Sequence, residues 1–195
     1  MELIYPPHEA DLLPRPSFRK PGEDFRIPEE RLPVVEPSGE VIAQTTRSYA
    51  HGGSRLLHPV VHMHVIDRQG RIFLQRRAST KDLYPLKWDT AVAGHVVYTE
   101  NILDALYREA EEEIGLTKFN PIFLKSFVFD SRKQRELVCV FACVGNFEPV
   151  SDCPEIIQTR WWTLDDVSRH LGRYIFTPVF EKQFPWVKDA LLSLL

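Results

Sequence analysis

The stretch Gly94–Leu116 reads GHVVYTENILDALYREAEEEIGL, and its second half predicts a helix over about 101 to 114. Asn101 is a suitable N-cap, and Asp104 places a negative charge in the first turn, where the positive helix end favours it. Gly115 stands where the chain leaves the helix through a left-handed residue, a conformation glycine enters without a Cβ penalty. Leu103, Leu106, Ala110 and Ile114 recur at helical spacing and are expected to make one apolar face.

The same helix carries acid where a stable helix would not. Glu109, Glu112 and Glu113 lie at i, i+3 and i+4 and are expected to share a flank. Glu111 points away, because each residue turns the helix by roughly 100°. The helix dipole opposes negative charge at this end by about 0.3–1 kcal/mol per group, and like charges at these spacings add a few tenths more. A divalent cation reverses that balance, since clustered carboxylate oxygens suit hard Mg²⁺ or Mn²⁺. A bare run of glutamates is most often a solvated face. Here it belongs to a longer set that fixes Gly94, Glu100, Arg108, Glu109, Glu112, Glu113 and Gly115. With residue frequencies of roughly 5–7%, seven such identities coincide on the order of once in 10⁹ starting points.

The segment resembles the Nudix box, G-x5-E-x7-R-E-U-x-E-E-x-G-U with U aliphatic, and Ala110 and Leu116 fill the aliphatic places. The resemblance implies an α/β/α sandwich with a mixed central sheet and a loop-helix-loop metal site. It implies a pyrophosphohydrolase that cleaves a nucleoside diphosphate linked to another moiety, or a related small diphosphate. Glu109, Glu112 and Glu113 would be the metal-binding and catalytic carboxylates, often joined by the Gly94 carbonyl. Glu112 is the expected most sensitive of the three. Arg108 and Glu100 would form an ion pair fixing the helix to its preceding loop. The implied cofactor is Mg²⁺, with Mn²⁺ as an alternative.

A wider likeness, from about residue 32 to 171, is carried by LLHPVVHMHVIDRQGRIFLQRRASTKDLYPLKWDTAVAGHV. It is similar to the branch that includes isopentenyl-diphosphate isomerases. Those enzymes place a catalytic cysteine just before a Gly-His pair. Here Ala93 precedes Gly94-His95, and a methyl group cannot move a proton. The isomerases also tend to lose the acids at the positions of Glu109 and Glu112, which this chain keeps. Hydrolysis on an isomerase-like scaffold is the reading that follows. An isomerase, or a catalytically silent phosphate-binding module, is the alternative.

Further residues take roles from the same likeness. Arg77 and Lys81 would contact the diphosphate, within a basic group that includes Arg76 and Lys87. His51, His58, His95 and Glu136 fall where the isomerases bind a second metal, although Gln134 replaces one acid there. His62 and His64 share a strand face with His58 by period-2 spacing. Glu155 lies near where some family members place a catalytic base. Trp88 and one of Trp161 and Trp162 are candidates to stack a base, the other tryptophan facing the core.

Composition sets the frame. The chain has 195 residues, 44% hydrophobic and 26% charged, which fits one globular domain. A net charge of −3 argues against binding a nucleic-acid polymer, and the small-molecule diphosphate that the resemblance implies would need a local basic clamp. Cys139, Cys143 and Cys153 make neither a CxxC pair nor an even disulfide set, which fits a reduced, cytoplasmic protein. No signal peptide is evident, and no apolar run approaches the ~20 residues of a membrane span. A homodimer is compatible with the sequence.

More than half of the 15 prolines precede residue 38, so residues 1–30 read as an irregular Pro-rich extension and 31–195 as the domain. Hairpins are expected at 32–36 with 41–45, at 58–66 with 71–77, and at 122–130 with 136–144. A short strand is expected at 89–93 and another at 156–162. Helices should follow at 164–171 and 179–195, the last broken or restarted at Pro185.

Overall fold

In the computed structural model, residues 1–4, 29–150 and 152–195 are described; the extension expected over 1–30 lies almost wholly outside them. Leu3 packs into the core, and Ile4 bridges to Glu40.

The first hairpin pairs β1 (Arg31–Val35) with β2 (Val41–Thr46) in a small sheet of its own. Thr46 then caps the single turn α1 (Arg47–Tyr49), its side chain accepting the Tyr49 N–H. The chain continues into a wider π-type turn, Ala50–Ser54, which ends through the left-handed residues Gly53 and Arg55.

The main sheet is mixed and, among the described residues, has seven strands. Its centre is β3 (His58–Ile66), buried along its whole length. The strand β8 (Arg135–Val144) runs parallel to β3 from His58↔Glu136 to Ile66↔Val144. On the other side β3 is shared. Its end pairs with β4 (Arg71–Arg77) and its first half with β6 (Val92–His95), both antiparallel. The strand β4 also carries β5 (Trp88–Asp89) and β9 (Ile156–Thr163), and β7 (Ile122–Asp130) closes the far edge on β8.

The strand expected at 89–93 is therefore two strands. Thr90 causes the break: its Oγ1 donates to the Met63 carbonyl at 2.6 Å, while the Asp89 carboxylate accepts the Thr90 N–H at 2.8 Å. Those side-chain bonds move the chain from the edge of β4 to the edge of β3.

Helices cover both faces. Val61, Met63, Val65, Cys139 and Phe141 pack under α2 (Ile102–Ile114). Val60, Ile72, Leu74, Val138 and Trp162 pack under α3 (Leu164–His170) and α4 (Pro178–Leu192). This alternation of inward faces makes the expected α/β/α sandwich. The α4 helix runs unbroken through Pro185. Phe180, Phe184, Val187 and Leu191 are all buried on it, and at about 1.5–3 kcal/mol each they outweigh the ~3 kcal/mol an interior proline costs. Trp88 and Trp162 meet edge to face in this second core, so neither can stack a base; Trp161 lies on the opposite face against Phe73.

Candidate active site

The box helix is set by its ends. Asn101 Oδ1 accepts the N–H groups of Leu103 and Asp104 at 3.0 and 2.9 Å, and Gly115 closes the helix at φ 65°. The buried face is Ile102, Ala105, Leu106, Ala110 and Ile114; Leu103 falls outside it, half exposed. That rotation points the acid flank toward β6 and the loop behind it.

Arg108 organises the flank. Its Nε and Nη2 grip the two oxygens of Glu100 at 2.9 and 2.8 Å, and Nη2 also donates to the His95 carbonyl at 3.0 Å. Glu100 in turn accepts the Val97 N–H at 3.0 Å. The Nη1 nitrogen reaches Glu109 Oε1 at 2.7 Å and Glu112 Oε2 at 3.4 Å. Glu100 most of all, then Glu109, pushes the Arg108 pKa upward. Gly94 lies directly under Glu109, where a Cβ would collide with its carboxyl group.

The three acids differ sharply in setting. Glu113 is buried, and its Oε2 accepts the Ala93 N–H at 2.8 Å and Gln75 Nε2–H at 2.9 Å. Burial, then repulsion from Glu109, pushes its pKa up to about 8. Burial also raises Glu109. Glu112 keeps 59% of its side chain exposed and does not line the cavity that Glu109 and Glu113 face.

That cavity, about 140 Å³, is strongly polar. Arg77 and Lys81 both line it. Arg77 is anchored by its Nε–H to the Leu83 carbonyl at 3.1 Å and stands 3.9 Å from Asp89. Lys81 pairs with Glu155; burial raises the Glu155 pKa, but the ammonium more than offsets this and holds it below the usual range. Arg76 and Lys87 do not join this clamp. Strand alternation sends Arg76 to the opposite face, where it donates to the Leu86 carbonyl, and Lys87 turns to the Tyr174 carbonyl. Arg47, from α1, lines the cavity instead and pairs with Glu30 at 3.0 Å.

The tightest convergence of metal-ligating atoms among the described residues is the imidazole group His51, His58 and His95, whose ligand atoms lie within 4.8 Å of one another. His58 Nδ1–H donates to the Leu56 carbonyl at 2.9 Å, which leaves Nε2 as a buried lone pair with no partner. The Nε2 atoms of His51 and His95 face each other at 2.9 Å. Burial lowers all three pKa values, His51 to about 4, so the rings are neutral and fit to ligate. Glu136 sits beside His58 in the β3–β8 register, buried, its pKa raised to about 7 by burial and by Asp89. His62 lines the same cavity and bonds Gln183, whereas His64 turns into the core against Phe180.

A family model for the NUDIX domain matches residues 56–183. The chain belongs to the Nudix family. It is similar to the uncharacterized Nudix hydrolase YfcD of Escherichia coli K12, 30% identical over 149 residues, covering 76% of this chain and 81% of that protein. It is also similar to an isopentenyl-diphosphate Delta-isomerase of Clavibacter sepedonicus, 35% identical over 139 residues, covering 68% of this chain and 73% of that enzyme. In fold it resembles DR0079 from Deinococcus radiodurans, with a TM-score of 0.70 and 24% identity over 80% of this chain and 98% of that one.

As a Nudix hydrolase the protein acts on phosphorus-containing anhydride bonds, and such enzymes generally use divalent metal ions. The residues present fit such an ion. Glu109 and Glu113 are crowded carboxylates at the end of a helix that carries no basic residue in its last turn. Arg47, Asp89 and Gln75 are among the residues at the site that the sequence reading did not single out. Arg47 and Asp89 carry no recognisable signal. Gln75 does carry one, as the single polar residue in the buried half of β4. Among the described residues no helix is long and apolar enough to cross a membrane.

Proposed function

We propose that this Nudix protein is a Mg²⁺-dependent pyrophosphohydrolase, able to use Mn²⁺, that cleaves a nucleoside diphosphate linked to another moiety or a related small diphosphate. The observation that carries the reading is one cavity lined by both carboxylates and cations. Glu109 and Glu113 of the box face into it together with Arg47, Arg77 and Lys81. Carboxylates alone would repel a diphosphate, and cations alone would hold it without activating it.

Glu109, Glu112 and Glu113, with the Gly94 carbonyl, would hold a divalent ion, which when bound would supply Lewis-acid polarisation and counter-charge for a leaving phosphate. Everything else is the work of the chain. Arg77 offers a planar fork to phosphate oxygens and Lys81 a compact charge. Both are fixed by bonds to Leu83 and Glu155, so little reorganisation is needed as charge develops. Arg108 and Glu100 lock α2 to the β6 loop and so hold the box acids at the cavity. The low bulk of Gly94 lets Glu109 reach the strand. Phosphoryl transfer depends mainly on positioning and electrostatics, and this arrangement provides both.

A second cation site is part of the proposal. His51, His58 and His95, with Glu136 beside them, would hold an ion such as Mn²⁺ or Zn²⁺. The same group, together with the similarity to a prenyl-diphosphate isomerase, favours an isomerase as the second reading. Ala93 and the retained box acids oppose it.

A screen of nucleoside diphosphates, triphosphates, dinucleotides and sugar nucleotides with Mg²⁺ and Mn²⁺, with products identified by mass, tests the first reading. It should find metal-dependent cleavage of a P–O–P bond. Conversion of isopentenyl diphosphate to its allylic isomer, with no hydrolysis of any compound, would favour the second.

A further inference from the structure

Gln75 lies in the interior of β4, buried, with its neighbours Leu74 and Arg76 directed to the opposite face. Its amide nitrogen has two acceptors, the Ala91 carbonyl at 3.3 Å and Glu113 Oε2 at 2.9 Å. Both partners accept, so the amide orientation is fixed by chemistry: only the nitrogen can face them. The Ala93 N–H donates to the same Glu113 oxygen at 2.8 Å. One oxygen of Glu113 thus holds two donors from two different strands, while Glu113 itself comes from the helix.

We propose that Gln75 is a positioning residue for the metal site: with the Ala93 N–H it fills Oε2 of Glu113, fixes the carboxylate plane, and leaves Oε1 as the oxygen presented to the ion. The proposal rests on the metal-dependent reading given above. Its physical basis is that a carboxylate on a flexible side chain ligates well only when its free rotation has already been removed. The Ala91 carbonyl holds the Gln75 amide, the amide holds Glu113, and the sheet and the box helix are joined at that point. Removing the amide leaves the Ala93 N–H as one donor on Oε2, and the carboxylate can then turn about it.

The test is calorimetric titration of the full chain with Mg²⁺, an ion for which imidazoles are poor ligands, so the box and not the histidine group is read. Gln75→Met keeps the length and volume of the side chain and removes the donor. It should weaken Mg²⁺ binding by about 10- to 100-fold. Binding of inorganic pyrophosphate without metal, which reads Arg77 and Lys81, should stay within about twofold of wild type. A purely structural role would lower the unfolding temperature and leave Mg²⁺ affinity unchanged, and that result overturns the assignment. Should Gln75→Met fail to fold, the wild-type chain still decides. Its Gln75 side-chain amide resonances should shift on Mg²⁺ saturation, and unshifted resonances overturn the assignment. A wild type that binds no Mg²⁺ at all overturns both this inference and the metal-dependent reading. A wild type that binds Mg²⁺ no better than Gln75→Met overturns this inference alone.

Discussion

Arg108 holds Glu100 through both carboxylate oxygens, Nε to Oε1 at 2.9 Å and Nη2 to Oε2 at 2.8 Å. The pair joins the middle of α2 to the loop behind β6, and Nη2 adds the His95 carbonyl. A lysine would keep the charge but lose the fork. Arg108→Lys should therefore destabilise the chain by about 1–3 kcal/mol, the loss expected for a partly buried pair that keeps one contact. Urea denaturation measures it, and a midpoint equal to wild type would contradict the role given to the pair.

Glu112 and Glu113 separate activity from stability. Each change to glutamine should lower turnover by at least ~100-fold, equivalent to ~2.7 kcal/mol of barrier. Their effects on metal-free stability should differ. Glu112 is largely exposed, so Glu112→Gln should unfold at the wild-type temperature. Glu113 is buried, with a pKa raised to about 8, so its stabilising contribution is present below 4.5 and is lost as pH rises through 8. Glu113→Gln removes that loss and should unfold at the same or a higher temperature at pH 8. Thermal melts beside steady-state kinetics check both. A Glu112→Gln enzyme with most of its rate would remove Glu112 from the ligand set.

Arg77 and Lys81 should act on substrate binding first. Replacing either by alanine is expected to raise KM at least ~10-fold, about 1.4 kcal/mol of lost phosphate contact. Arg76→Ala, on the opposite face, should leave KM within about twofold. Equal effects of Arg76 and Arg77 would show that the cavity is not where the diphosphate binds.

How much of this was legible in sequence depends on the range of the interaction. The box helix was, because cap, period and left-handed exit are all local: Asn101 and Gly115 end it where they were expected to. The hairpins at Gly39 and Gly70 were legible for the same reason. Leu103 misled, since its spacing matched the apolar face but the helix is rotated to bury Ile102 and Ala105. Thr90 misled too, because the bond that breaks the strand goes to Met63, far away in sequence. Arg47 enters the site only through the fold of the first hairpin, and nothing in its neighbours announces that. Trp88 and Trp162 look like binding aromatics in sequence, and only the three-dimensional core reveals what each one packs against.

His64 gives the acid side of the stability curve. Burial first, then nearby His62, lowers its pKa from 6.5 to about 3. A depressed value means that its contribution is intact above 6.5 and is lost as pH falls through 3. One proton accounts for up to about 1.4 kcal/mol per pH unit in that window. His64→Met should lose about 2–3 kcal/mol less than wild type between pH 7.5 and 4.5. Glu113 and Glu136 titrate in the opposite sense but are common to both proteins, so the difference isolates His64. Parallel curves from urea denaturation at the two pH values would contradict its being neutral and buried.

The central claim is that box acids and a basic clamp together drive attack of water on a phosphoanhydride. Hydrolysis of the best substrate from the screen in ¹⁸O-labelled water, with Mg²⁺ and then with excess chelator, reads that claim directly. One phosphate-bearing product should carry the label with Mg²⁺ present, and label incorporation should stop with chelator or in Glu113→Gln. Product that forms at the same rate in chelator, or that carries no label on phosphorus, would contradict it.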